Sequence, residues 1–329
     1  MQFFDGLGEV PAGFGPSAVT IGKFDGLHIG HRSVLRQLRE VADGRGLTAT
    51  VVTFDRNPLQ LLAPEKCPDA LVGNAQKRRL LAAAGVDATV MLRFDRALAD
   101  EPPELFIESV LTGALHAQVV LCGADFRFGA RGAGDVELLR QAGIDNGFDV
   151  VILDDVQVDG VSGSRRASAT WVRELLAEGR VREAAALLGR LPSIQSTVVH
   201  GAQRGRELGY PTANLAATIE GYLPADGVYA TWAVVDGVSY ASATSIGNNP
   251  TFDGIPQHQV ETHLFDQKLD LYDRPIELQF VEYLRPMNKF ESVDALVEQL
   301  RSDDARIRAI LATEASPAEP AHPAAAESA

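Results

Sequence analysis

The succession of strands and helices constrains the fold of this sequence more than any other feature. Between residues 17 and 188, short β-rich segments alternate with longer segments whose apolar residues recur at helical spacing. Such alternation predicts parallel strands joined by crossovers, and therefore a doubly wound α/β sheet. After Gly189 come closely spaced strand-like segments without intervening helices, which are typical of an antiparallel barrel or sandwich. One amphipathic helix follows, predicted over 293–311.

The same periodicities predict the bounds of the elements. In the first half the predicted strands are 17–22, 48–54, 88–92, 118–122 and 148–153, and the helices are 31–42, 76–84, 104–115, 135–146, 168–177 and 181–188. In the second half the predicted strands are 196–199, 227–235, 240–246, 259–265 and 276–284. We expect one domain over 1–189, a second over 190–314 and a disordered tail over 315–329, because the tail is mainly Ala, Pro, Glu and Ser without an apolar stripe.

Composition limits the classes of partner. The 329 residues are 46% hydrophobic, which is sufficient for two packed cores, and the formal net charge is -14. That charge argues against non-specific binding of duplex DNA or anionic membranes, which requires a cationic surface. Cys67 and Cys122 form neither a disulfide framework nor a metal-ligand pattern, and no secretory signal or membrane span is recognisable. We therefore expect a soluble cytoplasmic protein that binds small molecules.

The strongest chemical signal in the first half lies between the first strand and the first helix, at residues 22–31. Gly26 and Gly30 allow a ligand to approach the backbone closely, and the spacing of His28 and His31 can place both imidazoles on one side of a helix. Helix N-termini at the carboxyl ends of strands bind phosphate, and two imidazoles there would stabilise charge on a polyphosphate and on departing pyrophosphate. The alternative is two ordinary polar residues at a helix start. Neither a P-loop nor a G-x-G-x-x-G motif is present.

The His-x-Gly-His quartet at 28–31 resembles the nucleotidyltransferase superfamily, whose members transfer AMP from ATP. Three further segments extend the resemblance, namely residues 53–58, 123–129 and 168–173. Together these segments resemble the adenylyltransferase module of the bacterial bifunctional riboflavin kinase/FMN adenylyltransferases (FAD synthetases), which implies a Rossmann-like fold. The family commonly has Pro-His where Arg56-Asn57 stand here, and Ser where Ala169 stands.

The resemblance implies the residues of an adenylylation site. His28, His31 and Arg173 are expected to act on phosphate groups, since Arg173 lies one to two turns into a helix that Ser168 can cap. The implied ATP-binding residues are Gly22, Phe24, Asp25, Gly26, Gly30, Ser168 and Thr170. Asp125, Phe126 and Phe128 are implied to hold the flavin by hydrogen bonding and stacking, although the two phenylalanines are equally consistent with core packing.

A second motif lies in the β-rich half. Residues 205–214, centred on Pro-Thr-Ala-Asn at 211–214, resemble the riboflavin kinase fingerprint. On an extended segment Thr212 and Asn214 present adjacent oxygens, which suit Mg²⁺. Glu261 is predicted to share a strand face with His263; the resemblance implies that Glu261 is the base that accepts the proton of the ribityl terminal hydroxyl. The other implied residues are Gly205, Arg206 and Gly209 for ATP, and Asn249, Thr251 and Arg285 for the flavin.

The resemblance extends from about Val19 to Leu311 and implies two reactions. A C-terminal β-barrel would phosphorylate riboflavin with ATP to FMN, and the N-terminal α/β domain would adenylylate FMN with ATP to FAD and pyrophosphate, with Mg²⁺ as the metal. One departure, Asp273 in place of the usual Gly after Tyr272, affects a turn. Two alternatives remain: an adenylyltransferase for a nicotinamide or pantetheine nucleotide, which leaves residues 211–214 without a role, and a non-catalytic flavin-responsive regulator.

Overall fold

A computed structural model describes residues 1–160, 163–201, 209–247, 259–267 and 269–314. By its internal contacts the chain divides into two compact units, one over Met1–Ala169 and one that begins at Thr170. The predicted tail over 315–329 lies outside the described residues.

The first unit is built on a six-stranded parallel sheet. Its strands are β1 (Gln2–Phe4), β2 (Ser17–Ile21), β3 (Thr48–Phe54), β4 (Ala88–Leu92), β5 (Ala117–Gly123) and β6 (Asp149–Leu153). They lie in the order β1-β4-β3-β2-β5-β6, and every pairing is parallel. A separate antiparallel hairpin follows, β7 (Gln157–Gly160) and β8 (Gly163–Arg166). The predicted α/β sheet is confirmed, whereas β1 and the hairpin were not expected from the sequence.

Helices cover both faces of this sheet, as a doubly wound fold requires. They are α1 (Ile29–Arg45), α2 (Pro58–Leu62), α3 (Asn74–Ala83), α4 (Arg96–Ala99), α5 (Pro103–Phe106) and α6 (Val136–Asn146). Successive residues of β2 point to opposite faces: Ala18 joins the core formed with α1 and α3, and Val19 joins the core formed with α5 and α6.

The helix predicted over 104–115 is confirmed, and it consists of two kinds of helix. Only α5 is α-helical, and Ile107–Ala114 continues as a π-helix. A Cβ at Gly113 would lie 2.7 Å from the carbonyl oxygen of Glu108. A side chain at this position would therefore clash with the backbone of the wider π-helical turn, and glycine avoids that clash. Periodicity alone does not distinguish the two kinds of helix, because both bury a stripe of apolar residues.

The strand order reverses between β2 and β5. The chain passes from β2 to β3 on one side and from β5 to β6 on the other, so a crevice forms at the carboxyl ends of β2 and β5. The loop at 22–28 follows β2, and the loop at 124–128 follows β5. The fold therefore brings the predicted ATP loop and the predicted flavin loop to one crevice.

The second unit contains a closed antiparallel barrel. Its strands are β9 (Ser193–Val199), β10 (Ala213–Leu215), β11 (Gly227–Val235), β12 (Val238–Gly247), β13 (Gln259–Leu264) and β14 (Pro275–Arg285). They pair in the order β10-β13-β12-β11-β14-β9, and β9 closes the barrel on β10. The helices are α7 (Ala169–Ala177), which begins at the last residue of the first unit, α8 (Val181–Leu188) and α9 (Val293–Thr313). The predicted barrel with a terminal helix is confirmed.

The barrel also contains a chain of buried hydroxyl groups. Thr231 Oγ1 lies 2.8 Å from Ser242 Oγ and 2.7 Å from Thr244 Oγ1, and Thr244 donates to Thr262 Oγ1 over 3.0 Å. All four residues are completely buried. Because each hydroxyl bonds to another, these polar side chains are buried without losing their hydrogen bonds.

Candidate active sites

The loop between β2 and α1 is a tight turn. Phe24, Gly26 and Leu27 adopt left-handed backbone conformations, with φ of 46°, 76° and 41°. Glycine accepts such a conformation readily, whereas Phe24 and Leu27 are held in it by packing, each only 2% exposed. The turn ends at His28, and α1 begins at Ile29. The sequence therefore folds here into a rigid turn that delivers His28 to the start of a long helix.

The two imidazoles of this loop lie against each other. The ring centroids of His28 and His31 are 3.8 Å apart with an interplanar angle of 26°, and the Phe24 ring lies 5.1 Å from that of His31. Gly30 makes room for the pair, because a Cβ there would lie 3.0 Å from the His28 ring. The expected placement of both imidazoles on one side of the helix is observed.

The environment of His31 is positively charged. Burial, followed by the positive charges of His28, Lys23, Lys77 and Arg166, holds the pKa of His31 well below its usual value. Its Nδ1 atom is buried and has no hydrogen-bond partner within the described part of the chain. An anion placed here would favour the charged imidazolium and raise that pKa, so the site is electrostatically suited to phosphate.

Other predicted residues of this loop have defined positions. Asp25 Oδ1 accepts a hydrogen bond from the backbone of Leu71 over 2.8 Å, which ties the loop to the segment before α3. A Cβ at Gly22 would lie 3.1 Å from the Phe24 ring. Because that ring is buried, Phe24 would meet a ligand through its backbone rather than through its side chain.

The loop after β5 carries the predicted flavin residues. Asp125 Oδ2 accepts from Arg166 Nη1 over 2.8 Å, and this hydrogen bond lowers the pKa of Asp125. The Phe126 and Phe128 rings stack at 5.4 Å, but Phe128 is a core residue, 8% exposed, and Phe126 is half-buried against it. Arg166, which also bonds to Asp155, was missed in the sequence because no motif contains it.

The predicted residues at 168–173 lie around the start of α7. Ser168 immediately precedes the helix, at the position expected for a capping residue. Thr170 and Arg173 belong to the second unit, where Thr170 is exposed and Arg173 is half-buried one turn into the helix.

In the second unit, three predicted residues meet across β10 and β13. The Thr212 hydroxyl donates to Glu261 Oε2 over 3.2 Å, and Asn214 lies directly opposite Glu261 in the strand register. Gly201 packs against the Asn214 side chain so closely that a Cβ there would lie 2.3 Å from Asn214 Nδ2. His263, on the same face of β13 as Glu261, has Nδ1 2.7 Å from the carbonyl oxygen of Pro211. The structure thus brings Thr212 and Asn214 next to Glu261, a proximity that the separate motifs did not predict.

A cavity of about 570 Å³ lies beside this group. Its lining residues are Val198, Pro211, Thr212, Ala213, Thr262, Leu264, Gln267, Leu269, Asp270, Leu271 and Tyr272. Thr262 and Leu264 alternate along β13 with Glu261 and therefore face the other side of the strand. Thr212 belongs both to the lining and to the carboxylate group, so it connects the cavity with the candidate base.

The structure separates Arg285 from the group around Glu261. Arg285 ends β14, which pairs with β11 and β9 rather than with β13. Its guanidinium bonds twice to Asp303 Oδ2 on α9, at 2.7 and 3.0 Å, and the Asp303 carboxylate is buried. Gly209 lies in a turn with φ of 79°. The predicted residues Gly205, Arg206, Asn249 and Thr251 lie outside the described residues.

A parallel sheet of the nucleotidyltransferase type followed by a closed six-stranded barrel defines a two-domain transferase that uses nucleotides. The model of the FAD synthetase family matches residues 12–167, and that of the riboflavin kinase family matches residues 188–311. The chain belongs to the family of bifunctional riboflavin kinase/FMN adenylyltransferases. It phosphorylates riboflavin with ATP to FMN and adenylylates FMN with ATP to FAD; these matches support neither of the two alternative functions.

Similar proteins cover nearly the whole chain. The bifunctional riboflavin kinase/FMN adenylyltransferase of Escherichia coli K12 is 38% identical over 88% of this chain and 91% of its own length. The enzyme of the same name from Pseudomonas fluorescens is 35% identical over 96% and 99%. A crystal structure titled macrolide-efflux protein, from Streptococcus pneumoniae, superposes with a TM-score of 0.82 at 31% identity, covering 93% of this chain and 98% of that one. Within the described residues, no helix is long and apolar enough to cross a membrane.

Proposed function

We propose that the two reactions take place at two separate sites, adenylylation at the loop after β2 and phosphorylation at the β10–β13 group. The modules would extend over 1–189 and 190–314, with the tail at 315–329 in neither. The observation that carries the proposal is a pair of contacts, each inside one unit: His28 stacks on His31, and Thr212 bonds to Glu261.

In the kinase reaction, Glu261 would accept the proton of the ribityl terminal hydroxyl as that oxygen attacks the γ-phosphorus of ATP. The new P–O bond forms as the bond to the bridging oxygen breaks, and ADP leaves. The Thr212 hydroxyl orients the carboxylate by donating to Oε2.

The donor set at this site fits a magnesium ion. Hydroxyl and amide oxygens are hard ligands of the kind that Mg²⁺ accepts, and here they lie beside a carboxylate. Thr212 and Asn214 would hold the ion, which when bound would neutralise part of the charge of the nucleotide phosphates. The protein's own part is to fix these two side chains, since Gly201 allows the backbone to pass directly beside Asn214.

In the adenylylation reaction, a phosphate oxygen of FMN attacks the α-phosphorus of ATP, and pyrophosphate leaves as the α–β bridging bond breaks. His28, His31 and Arg173 would donate to the phosphates, assisted by the N-terminus of α1. The backbone at Gly22, Phe24, Asp25, Gly26 and Gly30, with Ser168 and Thr170, would line the ATP site. Gly209, together with Gly205 and Arg206, would contribute to the ATP site of the kinase.

The flavin residues are also proposals. Asp125 and Phe126 are the more exposed members of the first set, and Phe128 would act by supporting Phe126. In the second unit Asn249, Thr251 and Arg285 would serve the kinase flavin. Because the net charge is -14, we propose small phosphorylated molecules rather than nucleic acid or anionic membranes as partners. The two free cysteines favour a reducing cytoplasm.

Exchange of one residue in each site tests the assignment. His28→Ala should abolish FAD formation while FMN formation continues, and Glu261→Ala should abolish FMN formation while supplied FMN is still adenylylated. Products from riboflavin, ATP and Mg²⁺ are separated by chromatography, with Glu298→Ala on the exposed side of α9 as control. If either His28→Ala or Glu261→Ala folds but loses both reactions, the proposal of two separate sites is contradicted.

A further inference from the structure

Lys77 is a buried cation that the two reactions above do not use. It lies on α3, is 7% exposed, and donates from Nζ to the carbonyl oxygen of Phe54 over 3.1 Å. An ammonium group has three donors, and within the described part of the chain this carbonyl is its one hydrogen-bond partner. Burying an ammonium group is costly unless it is paired.

The two nearest carboxylates are already engaged elsewhere. Asp25 accepts from the backbone of Leu71 over 2.8 Å. Asp55 accepts from the backbone of Phe94 over 2.8 Å and from Arg56 over 2.7 Å. Burial lowers the pKa of Lys77, while the charges of Asp25 and Asp55 act in the opposite direction. The two carboxylates therefore favour the charged form of Lys77 from a distance. The remaining N–H donors of the Lys77 ammonium are suited to an anionic ligand.

The position of Lys77 identifies which ligand group it can reach. Phe54 ends β3, so the ammonium lies at the carboxyl edge of the sheet, beside the end of β2. Its charge is one of those that act on His31. The predicted flavin residues follow β5, on the other side of β2. The Lys77 ammonium and the predicted flavin residues therefore lie on opposite sides of the end of β2, from which the loop of the two imidazoles starts.

We propose that Lys77 is a phosphate-binding residue of the adenylylation site, whose ammonium binds the β- and γ-phosphates of ATP. This inference rests on the proposed assignment of adenylylation to the loop of His28. As the FMN oxygen bonds to the α-phosphorus and the bond to the bridging oxygen breaks, the electron pair of that bond passes to pyrophosphate. Lys77 stabilises the added negative charge without transferring a proton.

The competing explanation is that Lys77 merely joins α3 to β3 through the Phe54 carbonyl. Two substitutions separate charge from hydrogen bonding. Lys77→Gln keeps an N–H donor and removes the charge, whereas Lys77→Arg keeps the charge. Lys66→Met, at an exposed lysine, is the control beside Lys77→Met. A structural tie predicts that Lys77→Gln resembles the native protein, and a phosphate-binding role predicts that it resembles Lys77→Met.

The measurement is the affinity for pyrophosphate by titration calorimetry, together with KM for ATP and for FMN in the adenylylation assay. We expect Lys77→Gln and Lys77→Met to weaken pyrophosphate binding and raise KM for ATP by about ten- to a hundredfold, the range for a hydrogen bond to a charged group. KM for FMN should not change, and Lys77→Arg should retain most of the affinity. The kinase reaction of the same samples verifies that the second unit is folded.

Two results would overturn the inference. One is native pyrophosphate affinity in Lys77→Gln; the other is an increase of KM for FMN rather than ATP, which would assign Lys77 to the flavin phosphate. If Lys77→Met fails to fold, the pair Lys77→Gln and Lys77→Arg decides by itself. His28→Ala in the same series separates the two proposals. If His28→Ala still forms FAD, the assignment of adenylylation to this loop is refuted. If His28→Ala loses FAD formation while Lys77→Gln keeps native pyrophosphate affinity and KM for ATP, only the role of Lys77 is refuted.

Discussion

The two units differ in how they treat buried positive charge. In the first unit, Lys77 donates to a neutral carbonyl, and His31 lies in a field of cations. In the second unit, the largely buried Arg285 is neutralised by a carboxylate of the same protein, Asp303, through three hydrogen bonds. A buried charge that is paired with a counter-charge of the same protein has a structural role, whereas a buried charge without such a partner is suited to binding a charged ligand.

The two proposed phosphate-transfer sites differ in the same way. The first presents imidazoles, a lysine and a helix N-terminus, so the protein itself supplies positive charge. The second presents hydroxyl, amide and carboxylate oxygens from Thr212, Asn214 and Glu261, which carry no positive charge. A nucleotide triphosphate can approach the second site only if a cation accompanies it. Under the proposed assignments, ATP would be bound by cations of the protein at the first site and by way of a metal ion at the second.

The largest effect should come from breaking the ion pair of the second unit. Replacing Arg285 by Met leaves Asp303 buried without a counter-charge, which should cost about 3–5 kcal/mol of stability. Both tryptophans, Trp171 and Trp232, lie in the second unit, so tryptophan fluorescence during urea unfolding reports this loss. The double substitution Arg285→Met with Asp303→Leu should recover most of the stability.

The same variants test whether Arg285 also contacts the flavin. If Arg285 contacted the flavin and had no role in stability, Arg285→Met would raise KM for riboflavin and leave the unfolding transition unchanged. The double variant would then keep the raised KM. Recovery of stability without recovery of riboflavin affinity would show that one guanidinium serves both purposes. Equal stability of Arg285→Met and the native protein would show that the Arg285–Asp303 pair does not stabilise the second unit.

A smaller effect should come from adding one methyl group to either site. At Gly201 a Cβ would lie 2.3 Å from Asn214, so that side chain must move, whereas at Gly30 it would lie 3.0 Å from the His28 ring. Overpacking of this kind costs about 1–3 kcal/mol. Gly201→Ala should lower riboflavin phosphorylation about tenfold or more, and Gly30→Ala should lower FAD formation less, because the imidazole need shift only slightly.

These two substitutions act on different reactions if the sites are separate. Initial rates of FMN and FAD formation, each with its own flavin supplied, measure them independently. Gly44→Ala, on α1 where an added Cβ meets nothing within 4 Å, is the control. A fall of FAD formation in Gly201→Ala, or of FMN formation in Gly30→Ala, would show that the sites are coupled.

Periodicity predicted most of the fold because each unit buries one face of each element. The alternation of 259–265 predicted both β13 and the shared face of Glu261 and His263. The adjacent oxygens of Thr212 and Asn214 remain a prediction. Short elements such as β1 and α4 were missed, because three or four residues are too few to show a hydrophobic periodicity. The helix over 104–115 was predicted, but its π-helical part at Ile107–Ala114 could not be distinguished from an α-helix, because the apolar stripe is the same in both.

The residues that sequence reasoning missed are defined by tertiary partners. Lys77 lies in the charged run Lys77-Arg78-Arg79, which is typical of a solvated helix face, and only its burial distinguishes it from its neighbours. Arg285 was predicted from its motif, but its partner Asp303 is on another element, 18 residues away. Burial and pairing of charges depend on packing, which sequence spacing does not encode.

The smallest effect concerns pH and His31. In the unfolded chain its imidazole titrates near 6.5, and in the folded chain burial and the surrounding cations lower the pKa. Between these two values the unfolded state binds more protons, so folding becomes less favourable as pH falls. The full stability is present above about pH 6.5 and is lost as pH falls towards the folded pKa. His31→Gln should therefore show a smaller decrease in the stability of the first unit between pH 7.5 and 5.5.

The first unit contains neither Trp nor Tyr, so its unfolding must be followed by calorimetry or by hydrogen exchange at the amides of β2 and β5. Each kcal/mol of the proton-linked term corresponds to roughly 2–4 °C in Tm for a domain of this size. In the same samples, the tryptophan transition of the second unit should be unaffected by His31→Gln at every pH. Pyrophosphate should reduce the acid sensitivity of the native protein, since a bound anion favours the imidazolium and raises its pKa. If His31→Gln shows the same acid sensitivity as the native first unit, with and without pyrophosphate, the cationic field at His31 does not govern this site.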